Sequence, residues 1–157
     1  QHQPLVEALL PSVAVDYHVR ELPDVCAIGR DLTPRVTFHD DDATLLPAYD
    51  LVFTSSVLQF VEEWRGFLAS MVAHASHDVY VTRLPMVYRS PSFVVLQRGF
   101  GYAFETQFLG WYLNDAEWRA ETGKLGLELV REFVMADQTP AHGAPEQASY
   151  RGFLYRR

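Results

Sequence analysis

Cysteine is nearly absent from the chain: Cys26 stands alone among 157 residues. One thiol closes no internal disulfide and builds no thiolate metal cluster, which fits a reducing cytosol. No apolar run approaches the ~20 residues that a membrane span needs. The basic start and apolar core of a signal peptide are missing too. Positive charge is short: 13 Lys and Arg stand against 20 Asp and Glu, a net charge of −7. Such a chain repels phosphate backbones, and its basic residues are scattered apart from Arg156 and Arg157, so nucleic acid is not the expected partner. There is no Walker loop, paired CxxC, HExxH or GxSxG. The lone GxG, Gly99-Phe100-Gly101, lacks a further glycine and a preceding buried strand and reads as a turn. Repeats and low-complexity tracts are absent. These gaps point to a cytoplasmic protein with no metal site and neither nucleic acid nor membrane as partner, with a homo-oligomer left open.

The apolar residues that are present follow an alternating order of strands and helices. Leu5, Ala8 and Leu9 recur at helical spacing and Pro11 closes that segment. Val13 to Glu21 reads as a strand ending in a carboxylate. Pro23 opens a helix, where its missing N–H costs nothing, and Val25, Ile28 and Gly29 fall on the expected inner face. Arg35 to His39 reads as a short strand before the acidic run Asp40-Asp41-Asp42. Tyr49 to Thr54 is a continuous apolar run, as expected of a parallel strand covered on both faces. The spacing of Trp64, Phe67, Leu68, Met71 and Val72 predicts a helix over Glu62 to Ala75. A strand over Asp78 to Leu84 is stopped by Pro85. Phe93 to Tyr112 is aromatic and irregular, read as strand pieces and a loop. Asn114 caps a helix that ends near Gly126. Leu127 to Ala136 and Ser149 to Tyr155 read as two antiparallel strands, because the loop between them is too short for a helical crossover. Alternation of this kind predicts an α/β fold, a mostly parallel sheet with helices on both faces and a closing antiparallel hairpin. Leu51, Val52, Phe53, Phe67, Leu68, Val79 and Val81 are its expected core.

The run from Tyr49 to Phe60, YDLVFTSSVLQF, resembles the fourth-strand motif of class I S-adenosylmethionine-dependent methyltransferases. An aspartate opens an apolar strand there, small or polar residues end it, and a Val-Leu pair starts the next helix. The Asn114 helix running into Gly126-Leu127-Glu128-Leu129-Val130 resembles the family's late helix and sixth strand. Tyr17 to Pro23 is similar to the second strand of a bacterial subgroup of these methyltransferases. The resemblance runs from about Val13 to the C-terminus and implies a Rossmann-like fold over residues 1–157 as one domain. One element departs from it. The glycine-rich loop after the family's first strand belongs before Glu21 and is missing, so the domain is expected to be incomplete at its N-terminus. The strands ending at Glu21 and Thr54 would then flank an empty slot.

A carboxylate at the end of a second strand can accept both hydroxyls of a ribose. For Glu21 the resemblance implies that role toward S-adenosylmethionine, with Leu22 flanking the adenine. A surface carboxylate gives the same sequence signal. The resemblance also implies that Asp41 or Asp42 accepts from the adenine amino group and that the Ala43 N–H meets a ring nitrogen; a solvated acidic turn is the plainer alternative. Ser55 and Ser56, at the carboxyl end of the next strand, either touch the amino acid part of the cofactor or cap the following helix. Gln59, Arg83 and Tyr102 are the candidates for contacting substrate, Arg83 by pairing with a carboxylate or phosphate. Methyl transfer needs a base only when the acceptor must lose a proton. His18, His39 and His142 are base candidates, none with a readable partner, so no catalytic residue is assigned. The implied activity is methyl transfer to a small-molecule acceptor; the alternative is a non-catalytic methyltransferase-like scaffold or interaction domain.

Overall fold

A computed structural model describes residues 3–46, 48–98, 106–135 and 140–157. The chain forms two compact units, residues 1–46 and 47–157.

The first unit starts with helix α1, Gln3–Leu9. Strand β1, His18–Arg20, pairs in parallel with β2, Thr37–His39, and helix α2, Pro23–Leu32, connects them. This is one βαβ unit. Pro23 lies in the first turn of α2, as expected. The inner face of α2 differs from expectation. Cys26 is fully buried, whereas Val25 and Ile28 are 45% and 61% exposed. The helix approaches β2 along its Cys26–Gly29 side: a Cβ on Gly29 would lie 2.5 Å from the Phe38 ring, so glycine permits the approach. The Cys26 thiol donates to the carbonyls of His39 (3.2 Å) and Glu21 (3.5 Å), and the Glu21 N–H donates to the His39 carbonyl (3.0 Å). These bonds tie together the carboxyl ends of the two strands.

The second unit is built on β4, Ala75–Val87, a strand of 13 residues. Strand β3, Tyr49–Ser55, runs parallel to its first part. Strand β6, Gln107–Asn114, runs parallel to its end at Met86 and Val87. On the other side β8, Ser149–Arg156, is antiparallel to β4, and β7, Glu128–Val134, is antiparallel to β8. Strand β5, Phe93–Arg98, forms an antiparallel hairpin with β6. Among the described residues three ladders are parallel and three antiparallel, so the sheets are mixed rather than mostly parallel. The expected closing hairpin is β7–β8.

Pro85 does not stop its strand. It pairs with Tyr150 of β8, at a point where the β3 ladder has ended at Thr82 and the β6 ladder begins at Met86. A proline is tolerated where no second ladder needs its N–H. The strand pieces expected in the aromatic stretch are β5 and β6, which pair antiparallel in regular register.

Helix α3, Trp64–His74, and helix α4, Asp115–Lys124, complete this unit. Trp64, Leu68, Val79, Val81, Leu84, Met86, Leu113, Trp118, Phe153 and Tyr155 form its core. Each fully buried large apolar side chain contributes roughly 1.5–3 kcal/mol. Of the expected core, Leu68, Val79 and Val81 are buried, and Val52 and Phe67 pack against the cluster. Leu51 is 52% exposed. Strand β3 pairs with β4 alone among the described residues, so it is an edge strand there rather than the central strand expected. Asn114 caps α4, its Oδ1 accepting from the Ala116 and Glu117 N–H groups. At the other end Gly126 takes φ 74°, and the Leu127 N–H closes on the Thr122 carbonyl at 3.1 Å.

Candidate functional site

In the first unit the side chains at the carboxyl end of the β1–β2 ladder are gathered by Arg20. Its guanidinium donates to the Glu21 carbonyl at 2.6 Å and to Asp42 Oδ1 at 2.6 Å. Glu21 is half-buried, and its carboxylate accepts from the Leu22 N–H at 3.2 Å. Leu22 is 68% exposed, an apolar side chain presented to solvent beside that carboxylate. After β2 comes the 3-10 turn Asp42–Thr44, capped by Asp41, whose Oδ1 accepts from the Ala43 N–H at 2.9 Å. Glu21, Leu22, Asp41, Asp42 and Ala43 therefore share one end of this small sheet. The Ala43 N–H is engaged within the turn, so a ligand atom meeting it must compete with the Asp41 carboxylate.

Two histidines without a readable partner in sequence prove to be bonded to each other. His18 Nδ1 lies 2.8 Å from His39 Nε2, and His39 Nδ1 lies 3.0 Å from Thr44 Oγ1. The Asp16 carboxylate stands 3.1 Å from His18 Nε2. Burial lowers the pKa of His39; His18 and Arg30 lower it further, while a hydrogen bond to the Thr44 backbone and the Asp40 carboxylate oppose them. Only the register could have revealed this pair: Arg20 faces His39, so His18 and His39 are diagonal neighbours across the ladder.

In the second unit, Ser55 ends β3 and Ser56 follows it with φ 55°. Arg83 lies inside β4, with φ 59°. A left-handed backbone at a residue other than glycine costs of order 1–3 kcal/mol and clusters at ligand sites. Here two such residues meet: the Arg83 Nε donates to Ser56 Oγ at 3.0 Å, and the Ser56 N–H donates to the Thr82 carbonyl at 3.1 Å. The register of β4 against β8 shifts between Val81 and Leu84, which places Arg83 on a bulge. Bulges re-aim side chains and are frequent beside active sites. Gln59, on the 3-10 turn Leu58–Phe60, is 4% exposed, and its Oε1 has no hydrogen-bond partner among the described residues. An unsatisfied buried acceptor costs about 1–3 kcal/mol. Tyr102 lies outside the described residues. His142 lies in the loop before β8.

Among the described residues no three His, Cys, Asp or Glu side chains group as metal ligands, and no helix is long and apolar enough to cross a membrane.

No protein-family model matches the chain, and no curated protein matches it in sequence. Solved structures do match it in fold. The N-terminal domain of EvdMO1, solved with S-adenosylhomocysteine bound, superposes with a TM-score of 0.60 at 14% identity, over 96% of this chain and 68% of that one. LepI, solved with S-adenosylhomocysteine and a substrate analogue, gives 0.64 at 12% identity, over 99% of this chain and 40% of that one. The 1,6-didemethyltoxoflavin-N1-methyltransferase of Burkholderia thailandensis gives 0.52 at 15% identity, over 87% and 57%. The chain has the fold of these domains. It spans less than half the length of LepI and somewhat over half that of the toxoflavin methyltransferase.

Proposed function

We propose that this chain binds S-adenosylmethionine and serves methyl transfer to a small-molecule acceptor. The observation that supports this best is the grouping of Glu21, Leu22, Asp41 and Asp42 at one end of the β1–β2 ladder. The fold around them is shared with domains solved with S-adenosylhomocysteine. In open α/β sheets, ligands bind outside the carboxyl ends of the strands.

In this reading Glu21 accepts the ribose hydroxyls, and Leu22 covers one face of the adenine. Asp41 or Asp42 accepts from the adenine amino group, and the Ala43 N–H turns from Asp41 to a ring nitrogen. Ser55 and Ser56 meet the amino acid part of the cofactor. Bound there, the cofactor supplies an electrophilic methyl group on a sulfonium. The protein's task is alignment, which supplies much of the acceleration of an in-line displacement. Gln59, Arg83 and Tyr102 orient the acceptor. The unsatisfied Gln59 Oε1 suits an N–H or O–H donor on a ligand, and Arg83 suits an acidic group.

Titration calorimetry with S-adenosylhomocysteine tests the reading. The wild-type chain is expected to bind, and Glu21→Ala to weaken binding by about 1.5–3 kcal/mol, the range for hydrogen bonds to a charged group. Equal affinity in the two proteins would remove Glu21 from the site.

A further inference from the structure

We infer that Arg20 is a positioning residue: it aims the Asp42 carboxylate and so makes Asp42, rather than Asp41, the reader of the adenine amino group. This deepens the cofactor reading above and rests on it.

An exposed ion pair ordinarily contributes little, because two mobile side chains must be ordered to make it. Arg20 is held at a second point. Its Nη1 donates to the carbonyl of Glu21, its own neighbour, at 2.6 Å, while its Nε donates to Asp42 Oδ1, also at 2.6 Å. The guanidinium is a rigid planar fork, so the bond to the Glu21 carbonyl fixes the direction in which the Nε–H points. Asp42 is 62% exposed, and the Arg20 bond is what orders its carboxylate.

Asp41 is placed differently. Its Oδ1 caps the turn by accepting from the Ala43 N–H at 2.9 Å. That N–H is the group that turns to a ring nitrogen when the cofactor binds. Asp41 then loses its holder as the adenine arrives, whereas Asp42 keeps its own. The backbone around both groups stands without Arg20. The Glu21 N–H donates to the His39 carbonyl at 3.0 Å, and the Cys26 thiol donates to the Glu21 carbonyl at 3.5 Å. The turn closes through the Thr44 N–H and hydroxyl on the Asp41 carbonyl and the Leu45 N–H on the Asp42 carbonyl. Loss of Arg20 therefore loosens one carboxylate and leaves the ribose contact of Glu21 in place.

The test is titration calorimetry with three ligands: S-adenosylhomocysteine, an analogue lacking the exocyclic amino group, and an analogue lacking one ribose hydroxyl. In the wild type, removing the amino group is expected to weaken binding about tenfold, the lower end of the range for a hydrogen bond to a charged group. In Arg20→Met that loss is expected to shrink by about two- to tenfold, the effect of ordering one more side chain on binding. The loss on removing the ribose hydroxyl is expected to stay at its wild-type size. In Asp42→Asn, Arg20 takes the amide oxygen and leaves an NH2 for the ligand, so the amino-group loss is expected to vanish. Asp41→Asn is expected to keep it, and this pair carries the test if Arg20→Met does not fold. An amino-group loss that is absent from the wild type, equal in Arg20→Met, or dependent on Asp41 instead of Asp42 would overturn this inference and leave the cofactor reading standing. A ribose-hydroxyl loss that shrinks together with the amino-group loss would make Arg20 a general support of the fold and overturn it too. No binding of S-adenosylhomocysteine by the wild type would overturn the cofactor reading and this inference with it.

Discussion

At the residue scale, the clearest dependence lies in the core of the second unit. Trp118 Nε1 donates to the Tyr155 hydroxyl at 2.7 Å, both side chains are buried, and Trp118 packs on Phe153 and Trp64. Burial pushes the Tyr155 hydroxyl up to about 12, although its bonds to Thr122 and Trp118 pull the other way. Tyr155→Phe keeps the ring and strands the indole N–H. It is expected to cost about 1–3 kcal/mol, read as a lower melting temperature; an unchanged melting temperature would mean that water replaces the hydroxyl. The sequence made Asn114 legible as a cap because its signal is local, lying within three residues of the N–H groups it serves. His18 and His39 were not legible as a pair, because 21 residues separate them and only the strand register joins them. The bulge that holds Arg83 was not legible, since it depends on β8, a partner far along the chain.

At the element scale, two local devices set the ends of helix α4 and of strand β4. Gly126 closes α4 in a left-handed turn, with its own N–H on Gly123 and the Leu127 N–H on Thr122. Gly126→Ala is expected to destabilise by about 1–2 kcal/mol, the cost of a Cβ in that conformation, measured by denaturant unfolding. After β4, the Glu146 carboxylate accepts from the N–H groups of Tyr88, Arg89 and Ser90. The bonds from Tyr88 and Ser90 do most to lower its pKa, to about 2, with those from Arg89 assisting against partial burial. A depressed carboxylate stabilises the fold above its usual pKa of about 4.5. That stabilisation is lost as pH falls toward 2. Unfolding curves across this window are expected to be steeper in pH for the wild type than for Glu146→Gln. Equal slopes would show that the turn holds without the charge. Helix periods and caps were read directly, and α2, α3 and α4 lie close to their expected positions. Among strand partners only the closing β7–β8 pair was read, from its short connection. Leu51 looked central because an apolar run carries no record of how many neighbours the strand has, and Pro85 looked terminal because its tolerance depends on a gap between two ladders.

At the scale of the whole molecule, the order of helices and strands pointed to an α/β chain, and its fold is shared with domains solved with S-adenosylhomocysteine. The balance of parallel and antiparallel pairing was not legible, since the β5–β6 hairpin lies where the sequence is aromatic without clear alternation. A shared fold hosts more than one chemistry, so activity must be argued from the site. The central claim is the proposal that the carboxyl ends of β1 and β2 hold the cofactor. Hydrogen–deuterium exchange with and without S-adenosylhomocysteine tests it most directly. The account predicts slower exchange in peptides covering Arg20–Asp24 and Asp40–Leu45, with Glu21→Ala reducing both effects together. Protection confined to one of these segments, or falling elsewhere in the chain, would contradict it.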